Sequence, residues 1–572
     1  MSIIDQIEVI DPCDVRIKSS IEDNATIIKI SNENDKTLEF TISFPIIDFS
    51  HFWYSANNGD DSLPNLWTEP INISTNFSLP IFVFFDEQGN SQLTVALSET
   101  TRKVCASIGV HEESASIKMT FSFPDGIDRD VLKVYLNDCE QPFYKSVVKS
   151  RDWLYSQGKY SHLPSNSAAY KSVYSTWYSY HQALNQDSIV EQVQQFADYH
   201  IETLILDDGW QTDDNSRRYA YAGDWEIAES KFPNMVTHIN NIQQNNIKYL
   251  VWITLPYVGE KSAAFSRFSD KFLYFDDYQK AGILDPRYRE VRQYLVNTIL
   301  NLVRKLHLNG LKIDFIDSFR SASHNINSKM DIANLDDSIN VLLSDIVKVL
   351  LDYDPEFLIE FREDYIGPNM TQYCNIIRVK DCPHDYNKNR VGLTNIRLLC
   401  PSVAPHSDMI TFNLKDSLES ISLQFLNCLY GVIQLSVDLL KLSKEQREVI
   451  QHWMLYQDEN REVIFNGNFA ALNPHLGFDV VSVGNLSKRI ISCYQVNRVI
   501  ELKKEWMADS IDVINATLCN DLILSGNDFI GKCFKYTSYD LRGLVVETGE
   551  IEIEEIQKIK VPACGRIEIK QI

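Results

Sequence analysis

The chain has 572 residues, too many for one hydrophobic core, so roughly two to four domains are expected. Hydrophobic residues at 44% and aromatics at 11% suffice for large packed domains and speak against disorder. A formal net charge of −24, with no offsetting basic cluster, argues against nucleic acid and anionic membrane surfaces as partners and favours a neutral or weakly charged small molecule.

Met1 to Glu8 has neither the basic stretch nor the apolar run of a secretion leader, and no apolar segment nears the ~18–20 residues that cross a bilayer. The eleven cysteines are odd in number, scattered and free of any CxxC pair. Reduced thiols in a cytoplasmic protein explain this better than disulfides or a zinc site, and neither metal nor cofactor is expected. Cys382 is the one thiol considered for reactivity; a buried apolar thiol is its ordinary reading.

Residues 1–150 read as an N-terminal β-sandwich. Alternating segments such as Ala25-Thr-Ile-Ile-Lys-Ile30, Leu38 to Phe44 and Ile117 to Phe123 are separated by Asn, Asp, Gly and Ser clusters, and Asn57 to Asp61 is a turn-rich loop. Nothing in this region gathers into a catalytic constellation. From about residue 165 strands and helices alternate. Ser172 to Trp177, Thr203 to Leu206 and Tyr249 to Thr254 read as the first three strands, with amphipathic helices at Ser188–His200 and Val236–Asn245 between them. Phe272 to Phe275 reads as a fourth strand, followed by a helix over Val291–Leu306.

Leu311 to Ile316 is then fifth, Phe357 to Phe361 sixth, Asn375 to Val379 seventh and Leu429 to Leu435 eighth, with helices over Ser338–Leu351 and Leu414–Leu426. Eight strands interleaved with helices over residues 165–460 have the size and order of a (β/α)8 TIM barrel. After a helix over Lys444–Tyr456 the β pattern returns, and residues 465–572 read as a C-terminal antiparallel β domain.

A buried parallel strand tolerates charge only at its C-terminal end, where a barrel opens onto its cleft. There the second strand delivers Asp207 and Asp208, and the fifth Lys312 and Asp314. The sixth delivers Glu360, Arg362, Glu363 and Asp364, and the seventh Lys380 and Asp381, while Trp177 and Trp225 follow the first two strands. Carboxylates binding hydroxyls beside aromatic faces make a sugar pocket. Breaking a sugar acetal takes two carboxyl groups, one as nucleophile and one as acid. Asp314 is read as the nucleophile, kept ionised by Lys312, and Asp381 as the acid, its pKa raised by partial burial and by the charge of Asp314.

Five segments then carry a resemblance: Leu206-Asp-Asp-Gly-Trp210, Gly223-Asp-Trp225 with Lys231-Phe-Pro233, Leu284-Asp285 with Glu290-Val-Arg292, Leu311-Lys-Ile-Asp314 and Val379-Lys-Asp381. Together with Pro401-Ser402, His406, Gly431 and Leu442 to Glu445, their order and spacing resemble glycoside hydrolase family 36, the retaining α-galactosidases, related to the family 31 α-glucosidases. The resemblance covers about 170–460. It implies Asp314 as nucleophile, Asp381 as acid/base, Asp207 and Asp208 on the ring hydroxyls, and Lys312 and Trp225 as further contacts. It also implies a short oligosaccharide or glycoside substrate and allows a homo-oligomer.

The chain departs from the family in a shorter sandwich, in Thr254-Leu-Pro-Tyr257, and in Phe361 to Gly367 where members carry Cys-Ser-Gly-Gly-Gly beside the sugar ring. Either Arg287 or Arg289 stands for a displaced family arginine. Asp385, Glu363 or Asp364 are alternatives to Asp381, and Asp207-Asp208 can also be a helix cap. His406 either lines the pocket or packs with Asp408, and Arg362 is a surface charge or a contact to an anionic or distal part of the substrate. At the level of function, other α-glycosyl specificities (glucosyl, N-acetylgalactosaminyl), transglycosylation, a Mg2+ site on Asp207, Asp208 and Asp314, and a binding protein without catalysis stay open.

Overall fold

The computed structural model describes all residues except 1–6, 10–14, 33–37, 128–130, 165, 321–325, 527–528 and 572, so most of the stretch read against a leader lies outside the described residues. Its centre is one parallel sheet of eight strands in chain order. These are β1 (Ser172–Ser175), β2 (Ile201–Leu206), β3 (Lys248–Thr254), β4 (Gly310–Asp314), β5 (Leu358–Arg362), β6 (Ile376–Arg378), β7 (Ala404–His406) and β8 (Gln434–Leu435). β8 pairs with β1, and parallel bridges His406–Val432 and Ile410–Leu435 join it to β7, closing the barrel. Amphipathic helices fill most connections. Arg289–Leu306, for example, buries Val291, Leu295, Ile299, Leu302 and Leu306 at spacings of three and four, one stripe of a helix.

Two strands differ from the sequence reading. Phe272–Asp276 is a strand, but it pairs antiparallel with Ala281–Leu284, which also pairs with Tyr257–Gly259. This small sheet is an excursion between β3 and β4. Only a turn separates its paired strands, whereas parallel neighbours need a crossover. The strand ending in Asp314 is therefore fourth, not fifth. The missing member is β7, whose three residues, Ala404–His406, are too short to display a period.

The barrel interior is layered by the two-residue alternation of strands. Val173, Ile205, Leu250, Leu358, Ile376, Ala404 and Val432 form an apolar layer toward the N-terminal end. Two residues further along each of these chains stand Ser175, Asp207, Trp252, Glu360, Arg378, His406 and Gln434, all buried. β4 gives Gly310, Lys312 and Asp314 to the same succession. A Cβ on Gly310 would lie 2.5 Å from the Leu358 carbonyl oxygen and 2.8 Å from Leu250 Cγ, so glycine is what lets β4 close onto β5.

Between Ile7 and Pro142 the described strands form two packed antiparallel sheets, a sandwich, and their strand Ile81–Phe85 is buried on both faces. Phe82 and Phe84 enter the sandwich core, while Ile81, Val83 and Phe85 join the core shared with the barrel. That double burial explains its unbroken apolar sequence. The C-terminal region holds a seven-stranded and a three-stranded sheet. They are antiparallel apart from two parallel pairs, Lys488–Cys493 with Ser510–Asn515 and Val499–Glu501 with Asp521–Ser525. Gly310→Val should overpack the β4–β5 contact and destabilise the protein by about 2–4 kcal/mol. A urea titration checks this; an unchanged midpoint contradicts the close approach.

Candidate active site

Asp314 ends β4 with its carboxylate nearly enclosed. Oδ1 accepts from the Phe315 amide at 2.8 Å and from Arg362 Nε at 3.0 Å, and lies 3.2 Å from the Tyr365 hydroxyl. Oδ2 accepts from Trp252 Nε1 at 3.1 Å. Burial alone would push this carboxyl up, but Arg362, then Lys312 and Arg378, hold it below the usual carboxylate range. Lys312 thus helps to keep Asp314 ionised, as expected, though Arg362 does more.

The hydrogen bond of Lys312 goes elsewhere, from Nζ to Asp207 Oδ2 at 2.6 Å. Ser175 Oγ, at 3.3 Å, is a further donor to the same oxygen. Asp208, one residue on, accepts from Gln182 Nε2 at 2.7 Å and Gln211 Nε2 at 2.6 Å, and burial pushes its carboxyl up to about 6. No helix starts at this pair, which removes the cap reading. Gly209 makes the turn possible, with φ of 115° and Gln182 Cα only 2.5 Å from where its Cβ would be.

Asp381 follows β6, and its Oδ1 lies 2.9 Å from Arg378 Nη1. The same Nη1 donates to Asp408 Oδ1 at 2.6 Å, and Asp408 Oδ2 accepts from the Cys382 amide at 2.6 Å. The loop carrying Asp381 is therefore tethered on both sides of that residue. The expected burial of Asp381 is absent: its side chain is 56% exposed, against 1% for Arg378.

The alternative acids are placed otherwise. Asp385 accepts from the Lys388 amide as the cap of helix Tyr386–Leu399, and Asp364 pairs with Lys380 at 3.3 Å. Glu363 is buried near Gly392. Arg362 is neither a surface charge nor a free anion receptor. Its Nε, Nη1 and Nη2 already donate to Asp314, the Glu363 carbonyl and Asp317. His406 is fully buried, with Nε2 2.7 Å from the Ala169 carbonyl and Nδ1 3.1 Å from Gln434 Nε2. Both ring nitrogens are committed within the barrel, so His406 supports the interior and does not line a pocket.

Trp225 packs between Trp210, stacked at 6.1 Å, and Trp252, edge-on at 6.0 Å. Tyr219, Tyr257 and Phe315 extend this aromatic wall beside Asp314. Trp177 opens a short helix after β1 and rests edge-on against His181 at 4.7 Å. Of the displaced arginines, Arg287 is the buried one, 2.8 Å from Asp285, while Arg289 is exposed. Sequence reasoning missed Tyr365, Tyr219 and the part played by Arg378. Strand parity was the available signal for Arg378, since it shares the inward face with Ile376.

The family model described as Melibiase matches residues 166–467, more than half of the 572-residue chain. The chain belongs to the melibiase family. Among curated relatives, alpha-galactosidase 2 of Pediococcus pentosaceus is 26% identical over 149 residues, covering 25% of this chain and 21% of the relative. Alpha-galactosidase Mel36A of Lactobacillus acidophilus is 20% identical over 314 residues, covering 50% and 40%. The matched stretch thus spans about a fifth of the first relative. Among solved structures, the family 36 alpha-galactosidase AgaA of Geobacillus stearothermophilus superposes with a TM-score of 0.65 at 14% identity over 98% of this chain and 81% of that one. A family 31 sulfoquinovosidase from E. rectale reaches 0.58 at 11% identity over 99% and 88%. At these identities the likeness is one of fold. Arg362 and Tyr365 both lie on the segment Phe361 to Gly367, at and just past the end of β5.

Two predictions follow from the buried charges. Lys312→Met leaves Asp207 buried without its cation and should destabilise the protein by about 3–5 kcal/mol, with part recovered in Lys312→Met/Asp207→Leu; additive losses in a urea titration contradict the pairing. For Glu363, burial and then the Asp364 charge raise the carboxyl from 4.5 to about 7. The folded state then binds more protons than the unfolded chain between those values, so this group lowers stability as pH rises through the window, fully so above it. Glu363→Gln should be more stable than the parent at about pH 8 by on the order of 2–3 kcal/mol, the difference vanishing below about pH 4.5. An equal difference at both pH values contradicts it.

Proposed function

We propose that this protein is a retaining exo-α-glycosidase, an α-galactosidase that releases terminal α-galactosyl residues from short oligosaccharides. The observation that carries the reading is the ionised, arginine-bound Asp314 at the mouth of the barrel, with Asp381 two strands away on the neighbouring arginine. The alpha-galactosidase names of the relatives support it, as does AgaA, whose variants are seen with raffinose and stachyose. A cytoplasmic place of action is part of the proposal, supported by ten described cysteines, all free; no described helix is long and apolar enough to cross a membrane.

Attack by Asp314 on the anomeric carbon forms a glycosyl ester while Asp381 gives its proton to the departing oxygen. Water, deprotonated by Asp381, then releases the sugar with its anomeric configuration retained. Asp207, Asp208 and Trp225 hold the ring. A Mg2+ reading meets a different arrangement: Asp207 has Lys312, Asp208 has Gln182 and Gln211, and Asp314 has Arg362.

A second reading, another α-glycosyl group, is favoured by Arg362 and Tyr365, which replace the small residues the resemblance leads one to expect there. Asp314→Ala should lower turnover of p-nitrophenyl α-galactoside at least about a thousandfold. In Asp381→Ala, azide should restore turnover of that activated substrate. Near-normal rates in the first, or no rescue in the second, contradict the respective role. A panel of aryl α-glycosides decides the sugar: faster turnover of a non-galactosyl member selects the second reading.

A further inference from the structure

The guanidinium of Arg362 is held on several sides at once. Nη1 donates to the Glu363 carbonyl at 3.0 Å, Nη2 to Asp317 Oδ1 at 3.3 Å, and Nε to Asp314 Oδ1 at 3.0 Å. The rings of Phe315 and Tyr365 flank it, with centroids 5.8 and 5.4 Å from Cζ. Its side chain is 17% exposed, so solvent and salt screen the contact weakly. An arginine fixed this way cannot swing out to a substrate. It acts on Asp314.

The two oxygens of Asp314 are treated unequally. A carboxylate oxygen offers about two lone pairs. On Oδ1 both are taken, by the Phe315 amide and Arg362 Nε, and the Tyr365 hydroxyl shares its one proton between Oδ1 and the Ile313 carbonyl, each 3.2 Å away. Among the described residues Oδ2 has the Trp252 indole as its one hydrogen-bond partner, which leaves it a lone pair.

We propose that Arg362 is a positioning residue for the reacting carboxylate: it occupies Oδ1, leaves Oδ2 to attack, and makes Asp314 a good leaving group in the second half of the reaction. This rests on Asp314 being the nucleophile. In the first step an Oδ2 lone pair forms the bond to the anomeric carbon, the bond to the departing oxygen breaks, and that oxygen takes its electron pair and the Asp381 proton. In the second, water gives a proton to Asp381, its oxygen bonds to the anomeric carbon, and the pair of the C–Oδ2 bond returns to Asp314. Arg362 stabilises the charge that reappears there. A carboxylate stabilised in this way attacks more slowly but departs faster, as Brønsted behaviour requires. With Arg362 present the ester therefore does not accumulate.

The test uses the full chain and p-nitrophenyl α-galactoside, with Arg362→Gln and Arg362→Lys, which retains charge without the fixed fork. Arg362→Gln should show a burst of nitrophenol and falls of about tenfold in both kcat and KM. Intact-mass spectrometry should find a steady-state adduct one hexosyl unit heavier, and the acid limb of kcat/KM should move to higher pH. Arg362→Lys should lie between, and it decides the matter if the glutamine variant does not fold. A fall in kcat with no burst, no adduct and an unmoved acid limb overturns the proposal and leaves Arg362 a structural residue. Asp314→Gly with azide checks the underlying reading separately. Formation of β-galactosyl azide keeps that reading whatever Arg362 does, whereas undiminished hydrolysis without azide removes both.

Discussion

Keeping carboxylates ionised inside a packed barrel is the constraint to which the rest of this structure answers. An unpaired buried carboxylate takes up a proton, and a protonated Asp314 has no nucleophile to offer. Arg362 and Lys312 counter burial at that position, and Lys312 at the same time neutralises Asp207. Strand register sets the pairs side by side: Lys312 stands opposite Glu360, and Arg362 opposite Arg378. Two adjacent arginines thus reach the two carboxylates assigned to the chemistry, one each.

The scaffold below is apolar, and the loops above are held by another part of the chain. Asn76 of the sandwich donates to the carbonyls of Ile316 at 2.7 Å and Phe319 at 3.2 Å, just past Asp314. The Ser78 amide donates to the Asp364 carbonyl at 2.9 Å, and Lys380, beside Asp381, donates to Asn58. None of the residues assigned to the chemistry lies among the first 150, yet their loops fasten the segments that carry those residues.

How much of this was legible in the sequence depends on the kind of signal. Barrel strands announced themselves by length and composition, and the motifs around Asp207, Asp314 and Asp381 by their spacing. Phe272–Asp276 misled because an apolar strand does not say which neighbour it pairs with, and β7 was missed because three residues carry no period. At the site, residue types pointed to a sugar pocket, but partners were hidden. Strand parity puts Arg362 on the inward face with Leu358 and Glu360, but nothing in the sequence says that it meets Asp314, that Tyr365 joins it, or that Asp385 is used up as a helix cap. The burial expected for Asp381 failed for a related reason, since a loop residue's exposure is set by what packs over it.

The most direct measurement of the central claim is to locate the covalent sugar. The protein would be incubated with a slow, activated, fluorinated α-galactoside, digested, and the modified peptide sequenced by mass spectrometry. The account predicts an ester on Asp314 and on no other carboxylate. A label on Asp381, Asp207 or Glu360, or rapid turnover through a β-configured first product, would contradict it.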